Sequence, residues 1–321
     1  MIEARALART FRTGKGAVEA VRGVDFTVRA GEIVGFLGPN GAGKTTTLRM
    51  LTTLLTPTAG TATVAGCDLL RDPDGVRRRI GYVAQGGGTD PTCPAGEELL
   101  FQAAMYRIGA AEARRRAREL FLQFELTDLE DRPVKTLSGG QRRRLDVALG
   151  LVHQPPLVFL DEPTTGLDPQ ARSNLWSHVR RLREQLNTTI FLTTHYLDEA
   201  DALCDRILVI DHGKIVAEGS PDELKRRISG DVVVIEIAGD VERGKAALAG
   251  LAGVREATVD GTSVRLTVER GDQALPGLLR ALDAAGVGLA SIGLHRPTLD
   301  DVFLTLTGRS LRDQNTDAKT G

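Results

Sequence analysis

A glycine-rich segment early in the chain has the residue types that bind phosphate. The residues 38–45 read Gly-Pro-Asn-Gly-Ala-Gly-Lys-Thr, which fits the pattern GxxxxGK[ST] directly after the apolar run 33–37. Glycines let backbone N–H groups approach phosphate oxygens with no Cβ in the way. Lys44 is expected to reach the phosphates and the Thr45 hydroxyl to bind Mg²⁺. The predicted phosphate-binding residues here are Gly38, Pro39, Asn40, Gly41, Ala42, Gly43, Lys44, Thr45 and Thr46.

A pair of carboxylates follows a second apolar run. Asp161 and Glu162 come directly after the four apolar residues 157–160. In open α/β sheets ligands bind at the carboxyl ends of the strands, so this pair is expected beside the phosphate-binding loop. Asp161 suits Mg²⁺, bound through water, and Glu162 is placed to polarise an attacking water. With the phosphate-binding loop upstream, the carboxylate pair predicts a catalytic role.

A second glycine-containing turn lies between them at residues 137–141, Leu-Ser-Gly-Gly-Gln, just before a helical stretch that begins near Arg142. The turn has the small residues of a phosphate-binding loop, at Ser138, Gly139, Gly140 and Gln141. One nucleotide cannot easily use two such loops from a single chain. A head-to-tail homodimer, in which each chain's second turn closes on the nucleotide held by the other, resolves this difficulty.

The elements that position these residues have the pattern of an α/β fold. Runs such as 33–37, 157–160 and 189–193 are apolar on both faces, which is typical of central strands in a parallel sheet covered by helices. Residues 206–210 form another run and lead through a turn into 215–217. Residues 86–136 have few strand signals and much Ala, Leu, Arg and Glu at helical spacing, so we predict an inserted helical subdomain there.

The last third of the chain has a different pattern. From about residue 229 the order of predicted elements is βαββαβ, which is the ferredoxin-like α+β arrangement. Thr298 to Asp301 resembles a capping box that opens a last short helix. We therefore predict a catalytic α/β domain at 1–228, an accessory α+β domain at 229–309 and a flexible tail at 310–321. The accessory domain has no catalytic constellation, so a role as a dimer-stabilising or spacer domain is weighed against a regulatory one.

Composition limits the class of protein. The 321 residues carry 41 Lys and Arg against 42 Asp and Glu, so no overall charge favours nucleic acid as a partner. The three arginine triplets at 77–79, 114–116 and 142–144 are expected to be solvated helix faces. Three scattered cysteines suit a reducing compartment. No apolar run approaches the roughly 18 residues of a membrane span, and the amino terminus has no apolar signal core.

The three motifs at 38–45, 137–141 and 161–162 together resemble the ABC (ATP-binding cassette) ATPase family, a P-loop NTPase fold, over about residues 2–225. The resemblance implies ATP and Mg²⁺ as cofactors and a homodimer of ATPase subunits. It also implies roles for single residues. Glu162, His195 and Gln85 would be catalytic, with Gln85 sensing the metal together with Thr45 and Asp161. Phe11 would stack on adenine, although it could instead belong to the core, and Asp168 would couple the two sites of the dimer.

A narrower resemblance is to ATP-binding subunits of bacterial ABC-2-type exporters, of the daunorubicin/doxorubicin-resistance type. It rests on residues 137–146, on His-Tyr-Leu-Asp-Glu-Ala-Asp at 195–201, and on Leu-Asp-Asp-Val-Phe-Leu at 299–304 with 306–309. It implies a peripheral protein on the cytoplasmic face of the membrane that works with separate permease subunits to export a hydrophobic compound or drug. The sequence departs from the usual pattern at the glycines 86–88 and at Ala95 and Leu99, where Thr and Asn are common. These positions lie near the groove expected to receive the membrane partner.

Two other classes remain as alternatives. A soluble ABC ATPase acting on nucleic acid or ribosomes commonly has two cassettes or a long coiled coil, whereas this chain has one signature and no sustained heptads. A small GTPase or kinase would leave residues 137–141 without a role, and the chain has no Asn-Lys-x-Asp motif. The exporter interpretation therefore predicts no nucleic-acid partner.

Overall fold

The computed structural model describes residues 1–14, 16–228, 230–295 and 298–307. The chain forms two compact units, Met1–Glu218 and a second that begins at Gly219. The strands up to this boundary are β1 (Ile2–Thr13), β2 (Gly16–Val28), β3 (Ile33–Leu37), β4 (Ala59–Val64), β5 (Cys67–Asp68), β6 (Ile80–Val83), β7 (Leu157–Asp161), β8 (Thr189–Thr194), β9 (Arg206–Asp211) and β10 (Lys214–Gly219). The helices are α1 (Lys44–Leu51), α2 (Pro73–Arg79), α3 (Ala95–Met105), α4 (Ala110–Gln123), α5 (Gly139–Leu151), α6 (Pro169–Leu186) and α7 (Leu197–Leu203), with a short 3-10 helix at Val134–Thr136.

A six-stranded sheet in the order β10-β9-β3-β8-β7-β6 forms the centre of the first unit. Within this sheet the strands β9, β3, β8, β7 and β6 pair with one another in parallel. Every residue of β3, β7 and β8 is buried, as expected for strands covered on both faces. Because these three strands are parallel, their carboxyl ends lie at one edge, and this edge carries the segments that follow Leu37, Leu160 and Thr194.

A smaller antiparallel sheet in the order β2-β1-β4-β5 completes the core of this unit. The rings of Phe26, Phe36 and Phe191 join the two sheets, with centroids 5.6 to 6.0 Å apart. Phe36 is on β3 and Phe191 on β8. Burying aromatic side chains of this size is among the largest apolar contributions in a core, so these rings hold β3, the strand that precedes the phosphate-binding loop, against β2 and β8.

The predicted helical segment contains α3 and α4, which pack against each other. Pro94 precedes α3 and Gly109 precedes α4. After the short 3-10 helix, Ser138 caps α5 in a capping box. The Ser138 hydroxyl accepts from the Gln141 N–H, and the Gln141 side chain accepts from the Ser138 N–H. The second glycine-containing turn is therefore the first turn of a helix.

The second unit has the ferredoxin-like arrangement predicted from its pattern. Its elements are α8 (Pro221–Ile228), β11 (Asp231–Ala238), α9 (Val241–Ala249), β12 (Val254–Asp260), β13 (Ser263–Val268), α10 (Gly271–Ala284), β14 (Gly288–His295) and α11 (Leu299–Thr307). The sheet order is β12-β13-β11-β14, with antiparallel pairs throughout. Its apolar core, which includes Val233, Ile235 and Leu266, is contributed by alternate residues of the strands and by α9 and α10.

The boundary between the units differs from the sequence-based placement. The sequence placed residues up to 228 in the first domain, but α8 packs against α11 and belongs to the second unit. The predicted tail at 310–321 lies outside the described residues. Within the described part of the chain, no helix is both long enough and apolar enough to cross a membrane.

Candidate active site

The phosphate-binding loop lies between β3 and α1. Gly41 and Gly43 adopt positive φ angles of 78° and 109°, which glycine does without strain. A Cβ on Gly38 would lie 2.3 Å from the carbonyl oxygen of Ile210, so this position also requires glycine. Lys44 begins α1 and is only 5% exposed; its ammonium donates to the carbonyl oxygens of Gly38 (2.8 Å) and Pro39 (3.1 Å). The loop and its lysine thus form one hydrogen-bonded unit.

Glu162 is the point on which the other predicted catalytic residues converge. Its Oε1 lies 3.4 Å from Nζ of Lys44, and its Oε2 lies 3.2 Å from Nδ1 of His195. Oε2 also accepts hydrogen bonds from the Gln85 amide (3.1 Å) and the Thr165 hydroxyl (3.2 Å). The structure therefore brings Lys44, Gln85, Glu162 and His195 together from four separate segments of the chain.

The electrostatics of Glu162 favour its ionised form. Burial alone would raise its pKa, but His195, Lys44 and Thr165 act in the opposite direction and hold the pKa at about 2. Burial lowers the pKa of Lys44, while Glu162 and Asp161 oppose that shift. The backbone of Glu162 has a φ of 44°, an uncommon value for a residue other than glycine. Such conformations persist where the surrounding contacts enforce them.

Asp161 has the surroundings of a residue that could help to hold a divalent cation. Its side chain is buried, and Oδ1 accepts hydrogen bonds from the hydroxyls of Thr45 (3.1 Å) and Thr193 (2.7 Å). Mg²⁺ prefers oxygen ligands and is usually held by one or two carboxylates plus phosphate oxygens and water. Among the described residues no group of three or more His, Cys, Asp or Glu could hold a metal ion alone. The Thr45 and Asp161 oxygens therefore fit Mg²⁺ bound together with nucleotide phosphates.

The second glycine-containing turn is part of a separate concave surface, which encloses a volume of about 430 Å³. It is lined by Ser138, Gly139, Gly140, Gln141, Arg144, Gly166, Leu167, Asp168, Gln170, Ala171 and Asn174. Asp168 caps α6, because its carboxylate accepts the N–H of Ala171 at 2.8 Å. Within the described chain, none of the residues lining this surface belongs to the phosphate-binding loop. The predicted residues thus fall into two groups, one around Lys44 and Glu162 and one around Ser138 and Asp168.

Phe11 belongs to neither group by direct contact. It is half-buried on β1, opposite Val18 of β2. The guanidinium of Arg9 lies over its ring, 4.8 Å from the centroid. Stacking of adenine on Phe11 stays a prediction.

Arg143 shows that one sequence-based expectation was wrong. The triplet 142–144 was expected to form a solvated face, and the arginines at 77–79 are indeed exposed, yet Arg143 is only 7% exposed. Its guanidinium donates to the carbonyl oxygens of Ala84, Asp161 and Pro163. A signal was available, because Arg143 shares the core-facing helical spacing of Val147 and Gly150 (i, i+4, i+7). The prediction of a solvated face relied on residue type and did not use this spacing.

Thr193 and Thr165 were also missed. Thr193 donates to Asp161, and its hydroxyl oxygen accepts the Glu162 N–H at 3.0 Å, while Thr165 donates to Glu162. Thr165 lies three residues after the carboxylate pair, but Thr193 is more than thirty residues away in the sequence. Only the pairing of β7 with β8 places Thr193 opposite Asp161.

Comparison with known proteins identifies relatives for both units. Residues 21–165 match the family described as ABC transporter, and residues 219–307 match the C-terminal domain of DrrA1-3-like ATP-binding proteins. The chain is 45% identical over 307 residues to daunorubicin resistance ATP-binding protein DrrA2 of Streptomyces coeruleorubidus, covering 95% of this chain and 94% of that protein. It is 43% identical to doxorubicin resistance ATP-binding protein DrrA of Mycobacterium tuberculosis (92% and 90%). It is 41% identical to Nod factor export ATP-binding protein I of Ralstonia nicotianae (93% and 92%).

Solved structures resemble the chain as well. A dimeric post-hydrolysis state of the ATP-binding cassette MJ0796, bound to ADP and Pi, matches with a TM-score of 0.63 at 27% identity, covering 68% of this chain and 98% of that one. The cbiO1 subunit of the ABC transporter complex cbiONQ from Clostridium perfringens matches with a TM-score of 0.62 at 28% identity (70% and 89%).

Proposed function

This chain belongs to the family of ABC transporter ATP-binding subunits, and on that premise we propose that it is the motor of an ABC-2-type exporter of a hydrophobic compound or drug. Its ATP-binding domain makes it a nucleotide-binding ATPase. The observation that carries the proposal for the site is the convergence of Lys44, Gln85 and His195 on the single carboxylate of Glu162. The export substrate class is supported by the drug-resistance relatives at 43–45% identity over most of the chain.

In the proposed hydrolysis, Glu162 orients the attacking water. With a pKa of about 2 it stays ionised and accepts a hydrogen bond from water, but it is a weak base. Catalysis of phosphoryl transfer is mainly positioning and charge stabilisation, which suits a residue of this kind. Gln85 and His195, both within 3.2 Å of Oε2, fix the orientation of the carboxylate. Lys44 supplies positive charge to the phosphates from the buried loop.

Mg²⁺ would be held by Thr45 and Asp161, with Gln85 as a further oxygen ligand. When bound, the ion would supply positive charge to the phosphate oxygens of the nucleotide. The chain's own contribution is the orientation of the Asp161 carboxylate, fixed by the two threonine hydroxyls at 2.7 and 3.1 Å. A ligand held by two hydrogen bonds loses little rotational freedom when a cation binds.

We further propose that two copies assemble head to tail. In this arrangement the surface around Ser138, Gly140 and Asp168 closes on the nucleotide held by the Lys44 loop of the other copy. The division of the predicted residues into two groups within one chain supports this proposal, since each group alone offers half of a phosphate site. The amino-terminal end of α5, which begins at Gly139, directs its positive end at the proposed phosphate.

A groove between α2 and the end of α3 is the proposed docking site for the membrane subunit. Its volume is about 620 Å³, and its lining includes Arg78, Met105, Tyr106 and Arg107. Met105 is 68% exposed and lies in this groove beside arginine side chains, so the groove offers an apolar contact flanked by positive charge. An apolar side chain between basic ones suits a partner of complementary chemistry. We therefore propose as the partner a cytoplasmic segment of a membrane protein that has an apolar side chain flanked by acidic ones. This docking would place the chain at the cytoplasmic face of the membrane.

The deciding experiment captures the partner. Protein carrying Glu162→Gln is incubated with membranes, ATP and Mg²⁺, and the bound proteins are identified by mass spectrometry. The expected result is a polytopic membrane protein. Met105→Glu in the same background should abolish its recovery, whereas Leu122→Glu, at a 71% exposed position of α4, should not. Recovery of ribosomes or nucleic acid without a membrane protein would instead support the non-transport alternative.

A further inference from the structure

A single buried side chain connects helix α5 to the two segments that carry Gln85 and Glu162. Arg143 Nε donates to the carbonyl oxygen of Pro163 at 2.7 Å. One terminal nitrogen donates to the carbonyl oxygen of Ala84 at 2.7 Å, and the other to that of Asp161 at 3.2 Å. Ala84 directly precedes Gln85, and Asp161 and Pro163 flank Glu162. The guanidinium therefore holds the backbone on both sides of the carboxylate and next to the amide.

The surroundings of Arg143 make these bonds necessary. Buried carbonyl oxygens need donors, and a buried guanidinium needs acceptors and a counter-charge. The counter-charge is Asp146, one turn further along α5, whose Oδ2 lies 3.7 Å from the Arg143 guanidinium. Asp146 is buried too, and a Cβ on Gly87 would approach its Oδ2 to 3.1 Å. Arg143 thus donates to the residue before Gln85, and Asp146 lies beside Gly87, two residues after it.

From this geometry we infer that Arg143 is a positioning residue for ATP hydrolysis, holding Gln85 and Glu162 in their mutual orientation. The inference rests on the proposed function of those two residues. Gln85 follows the end of β6, and Glu162 follows the end of β7. Their 3.1 Å hydrogen bond therefore depends on how these two backbone segments are placed relative to each other. Displacements of about 1 Å in a catalytic site can cost about 100-fold in rate. Arg143 itself donates all three of its described hydrogen bonds to backbone, so it acts through Gln85 and Glu162.

The same helix also bears the surface proposed to contact the partner copy's nucleotide. Residues 139–141 form the first turn of α5, and Arg143 is in the next. A shift of this helix is therefore transmitted through Arg143 to Gln85 and Glu162 of the same chain. Each chain's catalytic residues would in this way respond to the occupancy of the neighbouring site.

The test is Arg143→Lys. A lysine keeps the charge but has one nitrogen, which cannot donate to three carbonyl oxygens arranged around a planar fork. We expect kcat for ATP hydrolysis to fall about 10- to 100-fold while KM for ATP stays within about twofold. In the Glu162→Gln background, Arg143→Lys should still allow ATP-dependent dimer formation. Arg142→Lys, at the neighbouring half-buried position, is the matched control and should keep wild-type kinetics.

Hydrogen exchange distinguishes positioning from general loss of structure. In Arg143→Lys, peptides covering 81–88 and 159–165 should exchange faster, and the peptide covering 36–46 should be unchanged. Turnover within twofold of wild type would overturn the inference, as would a rise in KM that accounts for the whole loss. Should Arg143→Lys fail to fold, the double variant Arg143→Gln with Asp146→Asn, which removes both charges of the buried pair together, carries the same measurements. Failure of the proposed function of Gln85 and Glu162 would be distinct, because Glu162→Gln would then keep wild-type turnover.

Discussion

The ammonium of Lys44 and the carboxylate of Glu162 form an ion pair 3.4 Å long in the interior of the site. Both side chains are less than one-tenth exposed, so water screens their charges only weakly. Removing one member of a buried pair leaves the other charge uncompensated, which is costlier than losing a surface pair. Substitutions at these two positions therefore affect stability as well as chemistry, and each needs a binding or unfolding measurement beside the rate.

Glu162→Gln should lower the turnover number by about 10²- to 10⁴-fold, because it removes the carboxylate proposed to orient the attacking water. The amide still accepts a hydrogen bond from the Gln85 amide, so the shape of the site is kept and ATP binding should persist. Steady-state hydrolysis and size-exclusion chromatography with ATP measure the two effects, with a slowly dissociating dimer expected. Glu184→Gln, on the exposed face of α6, is the control. A Glu162→Gln protein with wild-type turnover contradicts the assignment.

Lys44→Ala should act on binding itself. A hydrogen bond to a charged group contributes about 1.5–3 kcal/mol, so loss of the ammonium should weaken nucleotide affinity by about 10- to 150-fold. Titration with a fluorescent ATP analogue gives the dissociation constant. Lys214→Ala, at an exposed position, should leave it unchanged. An unaltered constant for Lys44→Ala would mean that the lysine serves only to hold Gly38 and Pro39.

The predictable part of this molecule is the part whose residues are consecutive. The strands of the central sheet were predicted because β3, β7 and β8 are apolar on both faces, and the phosphate-binding loop because its eight residues are contiguous. The structure confirms the fold class, and the relatives confirm the family, that these segments predict. The assignment of Gln85 and His195 needed the resemblance, since a single Gln or His has no distinguishing local pattern.

The unpredicted part depends on contacts between distant segments. Thr193 lies beside Asp161 only through strand pairing, and α8 belongs to the second unit because its partner α11 follows some seventy residues later. Arg143 was misplaced for a different reason. Arginine is almost never fully buried unless it is paired, and its pairing with three carbonyl groups could not be read from the sequence.

Thr193→Val should weaken both the fold and the reaction while preserving side-chain volume. It removes the 2.7 Å hydrogen bond to Asp161, leaving that buried carboxylate oxygen with Thr45 alone. The expected loss in the free energy of unfolding is about 1–3 kcal/mol, measured by urea denaturation. The Mg²⁺ concentration that gives half-maximal turnover should rise, because Asp161 is less well oriented. Turnover and unfolding both equal to wild type would show that Thr45 suffices to hold Asp161.

His153 should make the stability of the protein depend on pH. Burial lowers its pKa from 6.5 to about 4, even though its Nε2 lies 2.9 Å from the carbonyl oxygen of Ile80. As pH falls from 6.5 towards 4, the unfolded chain takes up a proton on this ring and the folded chain does not. The free energy of unfolding therefore decreases over this interval, and the contribution of His153 is complete only above pH 6.5.

His153→Phe tests this dependence directly. Phenylalanine can keep the stacking on Tyr106, whose ring centroid lies 3.7 Å from that of His153, but it cannot titrate. At pH 7.5 the variant should be less stable by about 0.5–1.5 kcal/mol, because the hydrogen bond to Ile80 is lost. Between pH 6.5 and 4 it should lose less stability than wild type. The free energies of unfolding of the two proteins, measured by urea denaturation and plotted against pH, therefore converge as pH falls. Parallel curves across that interval would mean that folding does not lower the pKa of His153.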